Sequence, residues 1–184
     1  MILVVLAVLC MLTVPLTGRS LARLAELQLR WLWTAPPALA VQVVIVELET
    51  TADRGLLAGL HIVSYALAAA FLWVNRKVAG VRTVALGMLA NALAIVANGG
   101  VMPASRNAQR IAGLSYGGGF HNSAVVSHPH LLWLGDIIPV PGPLANVLSV
   151  GDCIIFVGLL ILLHRTCRRV ETPAPLFEAP NKAA

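Results

Sequence analysis

Asp136 and Asp152 bracket the stretch LGDIIPVPGPLANVLSVGD, residues 134–152, and are the carboxylates best placed to do chemistry. Two such groups can act as general acid and base when their surroundings hold their pKa values apart. They form the candidate catalytic pair. Gln42, His61, Asn98, Asn146 and Ser149 join them as a candidate ligand-binding set, polar side chains set into otherwise apolar segments. His128 and His130 flank Pro129, with His121 nearby, and together with Asp136 they could ligate a metal. Their spacing matches no recognised ligand pattern, so no metal site is assigned. GxSxG, HExxH and phosphate-loop motifs are absent, and the SYGGGF word at 115–120 lacks the lysine that a phosphate loop requires. No cofactor is expected.

The elements that must position these residues read as long apolar runs. The fold class expected from them is all-α, a polytopic membrane helix bundle with five transmembrane helices at about 2–17, 32–48, 56–74, 83–98 and 144–164. An interfacial amphipathic helix and a long outer connection at 101–143 complete it. Arg19, Arg23, Glu26 and Arg30 recur on one helical face, which suits an interface lined by anionic headgroups. The Gly55xxxGly59 spacing suggests close helix approach. Only twelve residues, Cys153 to His164, separate Asp152 from Arg165, whereas a span needs roughly 20. The last helix should therefore open near Leu144 and carry Asp152 about 12 Å along its length. A carboxylate at such depth should be paired, with His61 the candidate partner in this scheme, protonated or hydrated. Gln42, His61, Asn98 and Asp152 come out at about 18 to 24 Å from the basic ends of their own helices, a polar layer in the outer half of the membrane. Gly87, Asn91, Ala94 and Asn98 recur at four, three and four residues, a small and polar stripe suited to face neighbouring helices.

Of the 184 residues, 58% are hydrophobic and 11% charged, against about 25% charged in ordinary soluble domains. The formal charge of +5 lies in small groups at segment ends without a nucleic-acid-reading motif, so nucleic acid is not an expected partner. The expected partners are the lipid bilayer, further copies of the chain, or a larger membrane complex. Cys10, Cys153 and Cys167 show no CxxC spacing and imply no disulfide framework. Placing the N-terminus outside puts ten basic residues on the inner side and three on the outer. The expected location is thus a multi-pass protein of the plasma membrane, N-terminus outside and C-terminus cytoplasmic. One bundle domain at 1–170 and a disordered tail at 171–184 complete the expected organisation.

Several short words resemble a known family. Gly18-Arg19, Leu29-Arg30 with Trp31 or Trp33, Gln42, Asn98-Gly99-Gly100-x-Met102-Pro103, Asn122, Leu134-Gly135-Asp136-x-x-Pro139, Asn146 and Ser149-x-Gly151-Asp152 together resemble the bacterial domain of unknown function 5317 over roughly residues 1–164. The resemblance implies an integral membrane protein of the bacterial envelope and carries no activity, cofactor or catalytic residue.

The leading expectation is a membrane protein that binds a small molecule, a lipid or a partner in its polar pocket, in a role of binding, transport or assembly. The alternatives are a membrane-embedded enzyme acting on a lipid-linked substrate, with Asp136 and Asp152 as acid and base, and an accessory subunit of a larger complex.

Overall fold

A computed structural model describes residues 2–34, 36–38, 40, 41, 44, 54–114 and 123–167. Gln42, the SYGGGF word, Asn122 and the 171–184 tail lie outside them. His61 is described as helical backbone only.

The described chain is mostly helical with a small amount of sheet. Helix α1 (Ile2–Leu16) is followed by a 3-10 turn (Leu21–Glu26) and a second one (Leu32–Thr34). Then come α2 (Arg54–Val74), α3 (Val81–Ala97), β1 (Met102–Pro103), α4 (Arg106–Ala112), β2 (Ser123–Ala124), a third 3-10 turn (Leu132–Leu134), β3 (Asp136–Val140), β4 (Asn146–Ser149) and α5 (Val150–Thr166).

This architecture overturns the expected polytopic bundle. Among the described residues no helix is long and apolar enough to cross a membrane. Helices α1, α3 and α5 have 15, 17 and 17 residues, short of the roughly 20 a span requires. The plasma-membrane topology, with its N-terminus outside and C-terminus cytoplasmic, rested on those spans and is corrected with them. The largest error is at 144–164, where the apolar run divides. Asn146–Ser149 pairs with Asp136–Val140 as an antiparallel hairpin, and the helix begins only at Val150. The physical reason is local. Pro139, Pro141 and Pro143 lack the N–H groups a helix needs, Gly142 turns the chain at φ 99°, and the β-branched residues around them favour extended backbone. The described parts of the 101–143 connection, 101–114 and 123–143, hold short elements of their own. β1 pairs in parallel with β2, and a parallel bridge from Ala104 to Asp136 joins this strand pair to the hairpin. Nor is 19–30 one amphipathic helix, since its helical part is the six-residue 3-10 turn capped by Ser20.

Helices α3 and α5 lie antiparallel along a glycine seam. A Cβ on Gly87 would lie 2.5 Å from Gly151 O, and one on Gly158 would lie 2.6 Å from Val84 N and 2.9 Å from Gly80 O. Gly80, Val84, Gly87 and Asn91 on one helix thus face Gly151, Ile155, Gly158 and Leu162 on the other, alternating four and three residues apart as in a coiled coil. Gly59, by contrast, has nothing within 4 Å of a Cβ position, so the seam is not where the GxxxG spacing suggested. Helix α1 packs Cys10 and Val14 against Leu163 and Cys167 of the α5 end.

Two turns are held by the same device. Asn75, just past α2, accepts from Arg30 N (2.8 Å) and donates to Arg30 O (2.8 Å) and Phe71 O (2.8 Å). Asn98, capping α3, accepts from His130 N (2.9 Å) and donates to His130 O (2.7 Å) and Ala94 O (2.7 Å). In each case the next residue, Trp31 or Leu131, takes a positive φ (56° and 52°), and a 3-10 turn with a tryptophan at its centre follows. Each asparagine satisfies both backbone groups of a residue that no ladder reaches.

Candidate functional site

The residues that converge do so where the hairpin meets α5. Ser149 ends β4 and caps α5. Its hydroxyl accepts from Asp152 N (2.9 Å), while Asp152 Oδ2 accepts from Ser149 N (3.0 Å), a reciprocal capping box. Asp152 is therefore a first-turn residue, favoured there by the helix dipole, and not a group part-way down a span.

Asn91 closes the arrangement from α3. Its Nδ2 donates to Asp152 Oδ1 (3.0 Å), and its Oδ1 accepts from the Ser149 hydroxyl (2.8 Å). This asparagine can point only one way, because the reverse orientation would set its oxygen against the carboxylate. The glycine seam makes the ring possible, since a Cβ on Gly151 would overlap Asn91 Oδ1. Both Asp152 oxygens are engaged, and Ser149 is fully buried.

Asp136 lies opposite Ser149 across the hairpin, beside a register irregularity between Asp136 and Ile138. Its backbone is tied down by Ser105 N, which donates to Asp136 O (2.9 Å). Burial is the main force on its carboxyl and pushes the pKa up to about 6. A hydrogen bond with Ser123 works the other way, and the Asp152 charge adds to the rise. No cationic side chain among the described residues contributes. The same Asp152 charge reaches Tyr65 on α2 and Cys153, whose pKa values are raised first by burial and then by that charge.

Of the residues singled out from sequence, Asp136, Ser149 and Asp152 come together. Asn146 is in the same hairpin, but its Oδ1 accepts from the neighbouring Val147 N (2.8 Å) and is turned to local use. Asn98 is occupied with His130, as described above. Gln42 and the side chain of His61, the expected partner of Asp152, lie outside the described residues, and among the described residues Asn91 and Ser149 bond the Asp152 carboxylate. The polar layer measured along five spans loses its basis with those spans. Sequence reasoning left Asn91 as a packing residue and passed over Ser123. The signal for Asn91 was its place in the Gly87, Asn91, Ala94 stripe, and Ser123 had none. No group of three or more His, Cys, Asp or Glu that could hold a metal occurs among the described residues.

No solved structure matches this chain. It is 32% identical over 93 residues to a protein of Thermotoga maritima described only as uncharacterised. The match takes in 50% of this chain and 54% of that protein, so the chain spans about half the length of the curated relative it matches. Neither this likeness nor the family match brings an activity or a membrane role with it. The profile of the family of unknown function DUF5317 matches residues 26–164, a stretch that holds Asn91, Asp136, Ser149 and Asp152 together, and the chain belongs to that family.

Proposed function

We infer that this is a binding protein whose recognition group is the Asp136 carboxylate, and that its ligand is a small molecule or partner presenting a cationic hydrogen-bond donor such as a protonated amine. The observation that carries this reading is the contrast within the pair. Asp152 has both oxygens satisfied by Asn91 and Ser149, whereas Asp136 is half-buried beside another carboxylate, with Ser123 alone among the described residues to favour its charge. A cation brought within about 4 to 6 Å relieves such a carboxylate and lowers its pKa by about 1 to 3 units. Binding is then linked to proton release, strong above the pKa of about 6 and weak below it.

The enzymatic reading is less well supported. A carboxyl titrating near 6 suits a general acid, but the matching base would have to be Asp152, and its hydrogen bonds hold it in the helix cap. The test is thermal stabilisation of the full chain by spermidine. Stabilisation at about pH 7.5 that disappears at about pH 5 and in Asp136→Asn is the expected result. An Asp136→Asn protein stabilised as much as the wild type sinks the reading.

A further inference from the structure

The opposite end of the α3–α5 pair carries different chemistry. There a cleft of about 630 Å³ opens between the Leu21–Glu26 turn, the 78–80 turn before α3 and the last turns of α5. Among the described residues Arg23 and Arg165 line it, with one carboxylate, Glu26, so guanidinium groups outnumber acids there. Its remaining wall mixes apolar Leu27, Val78, Ala79 and Ile161 with polar Gln28 and Thr166. A planar guanidinium binds phosphate oxygens through two parallel hydrogen bonds, and a pair of them beside a wall of mixed polarity suits a phosphate that carries a polar headgroup and a hydrocarbon body.

The surroundings favour the same chemistry. Arg19 donates to His164 O at the end of α5, and Arg82 Nε donates to Arg76 O (3.1 Å), which keeps further positive charge at this end. Trp73 is 67% exposed with the Arg76 guanidinium 4.4 Å from its ring centre, and Leu16 at the end of α1 is 84% exposed. An exposed tryptophan in contact with an arginine, together with exposed aliphatic side chains, is a composition that settles at a headgroup boundary.

We propose that the Arg23–Arg165 cleft is a binding site for the phosphate of an acidic lipid headgroup. The site needs only surface contact with the headgroup, and it is independent of the Asp136 reading at the other end of the molecule. The test is retention of the full chain on phosphatidylcholine vesicles with and without phosphatidylglycerol, alongside melting curves in inorganic phosphate. The expected result is retention that requires phosphatidylglycerol, weakens with salt, falls at least about tenfold in R23Q/R165Q and is unchanged in D136N. Arg165 is exposed, so R165Q alone gives the same direction of change should the double variant not fold. Equal retention on both vesicles, or undiminished retention of R165Q and R23Q/R165Q, overturns the proposal. Stabilisation of the wild type by inorganic phosphate without any vesicle preference overturns the lipid and leaves free phosphate as the ligand.

Discussion

At one end of the α3–α5 pair, Gly87 and Gly151 bring two backbones together beside Asn91, Ser149 and Asp152. At the other end, Gly80 and Gly158 make the same approach beside a cleft lined by Arg23 and Arg165. The backbone solution is shared, while the side chains finish it differently. At the acidic end the polar groups satisfy one another, and only Asp136 is left with charge that its surroundings do not favour. At the basic end the long arginine side chains line an open cleft. A tight helix contact therefore does not determine what is built on its rim. The closed end fixes geometry and isolates one ionisable group, and the open end offers charge to something outside the fold.

The largest expected effects strike the shared contact. G151A and G158A should each destabilise the chain by about 3 kcal/mol or more, read from denaturant midpoints, because the added methyl meets backbone atoms that cannot move away. The two should then part. G151A displaces Asn91 and shifts the titration of Asp136, whereas G158A leaves that titration in place. If both variants move it equally, the two ends are not separate sites.

Next comes the acid itself. A carboxyl whose folded pKa is raised from 3.8 to about 6 binds more protons folded than unfolded between those values. Its favourable contribution is complete below about 4 and is lost as pH rises through about 6. The shift corresponds to at most about 3 kcal/mol, reduced by the partial exposure of the group. D136N should accordingly match the wild type at about pH 4 and exceed it in melting temperature at about pH 7. A variant less stable than wild type at neutral pH removes the basis for an uncompensated Asp136.

The asparagine clamps give smaller effects and sharpen the contrast in burial. Asn75 is 3% exposed and Asn98 half-buried, so N75A should cost about 2 kcal/mol and N98A about 1 kcal/mol in chemical denaturation. The reverse order would mean that burial does not set the cost of the freed backbone groups. Smallest and opposite in sign, G59A should raise stability by about 0.5 to 1 kcal/mol, since its methyl meets nothing within 4 Å and a helical glycine is entropically costly. A loss there would restore the GxxxG spacing as a helix contact.

Much of the candidate site was legible in the sequence because it is local. Ser149-x-x-Asp152 is a capping pattern in itself, yet opening the helix near Leu144 put both residues inside it, whereas the helix starts at Val150 with Ser149 as its cap. The small stripe on α3 announced a close neighbour through its four-three spacing, and the structure seats its Gly87 and Asn91 on α5 while Ala94 packs with Met102 and Leu134 and Asn98 holds His130. The reading failed where it extended hydropathy by length. The run from 144 to 164 is largely apolar, yet its early residues Asn146–Ser149 are a strand, because the three prolines and Gly142 before it make a hairpin and the partner strand supplies the hydrogen bonds a helix would have needed. The paired asparagine clamps were equally hidden. Asn75 and Asn98 each join a residue distant in sequence, and no spacing rule connects 75 to 30 or 98 to 130.

The sequence by itself determined the helix caps, the glycine positions and the identity of the two aspartates, all of which depend on backbone preferences within a few residues. Only the tertiary structure decided which aspartate is satisfied and which is not. That depends on Asn91 reaching Asp152 and Ser123 reaching Asp136 across the fold, and the free energy of a charge is set by the groups around it in space, whatever their distance along the chain.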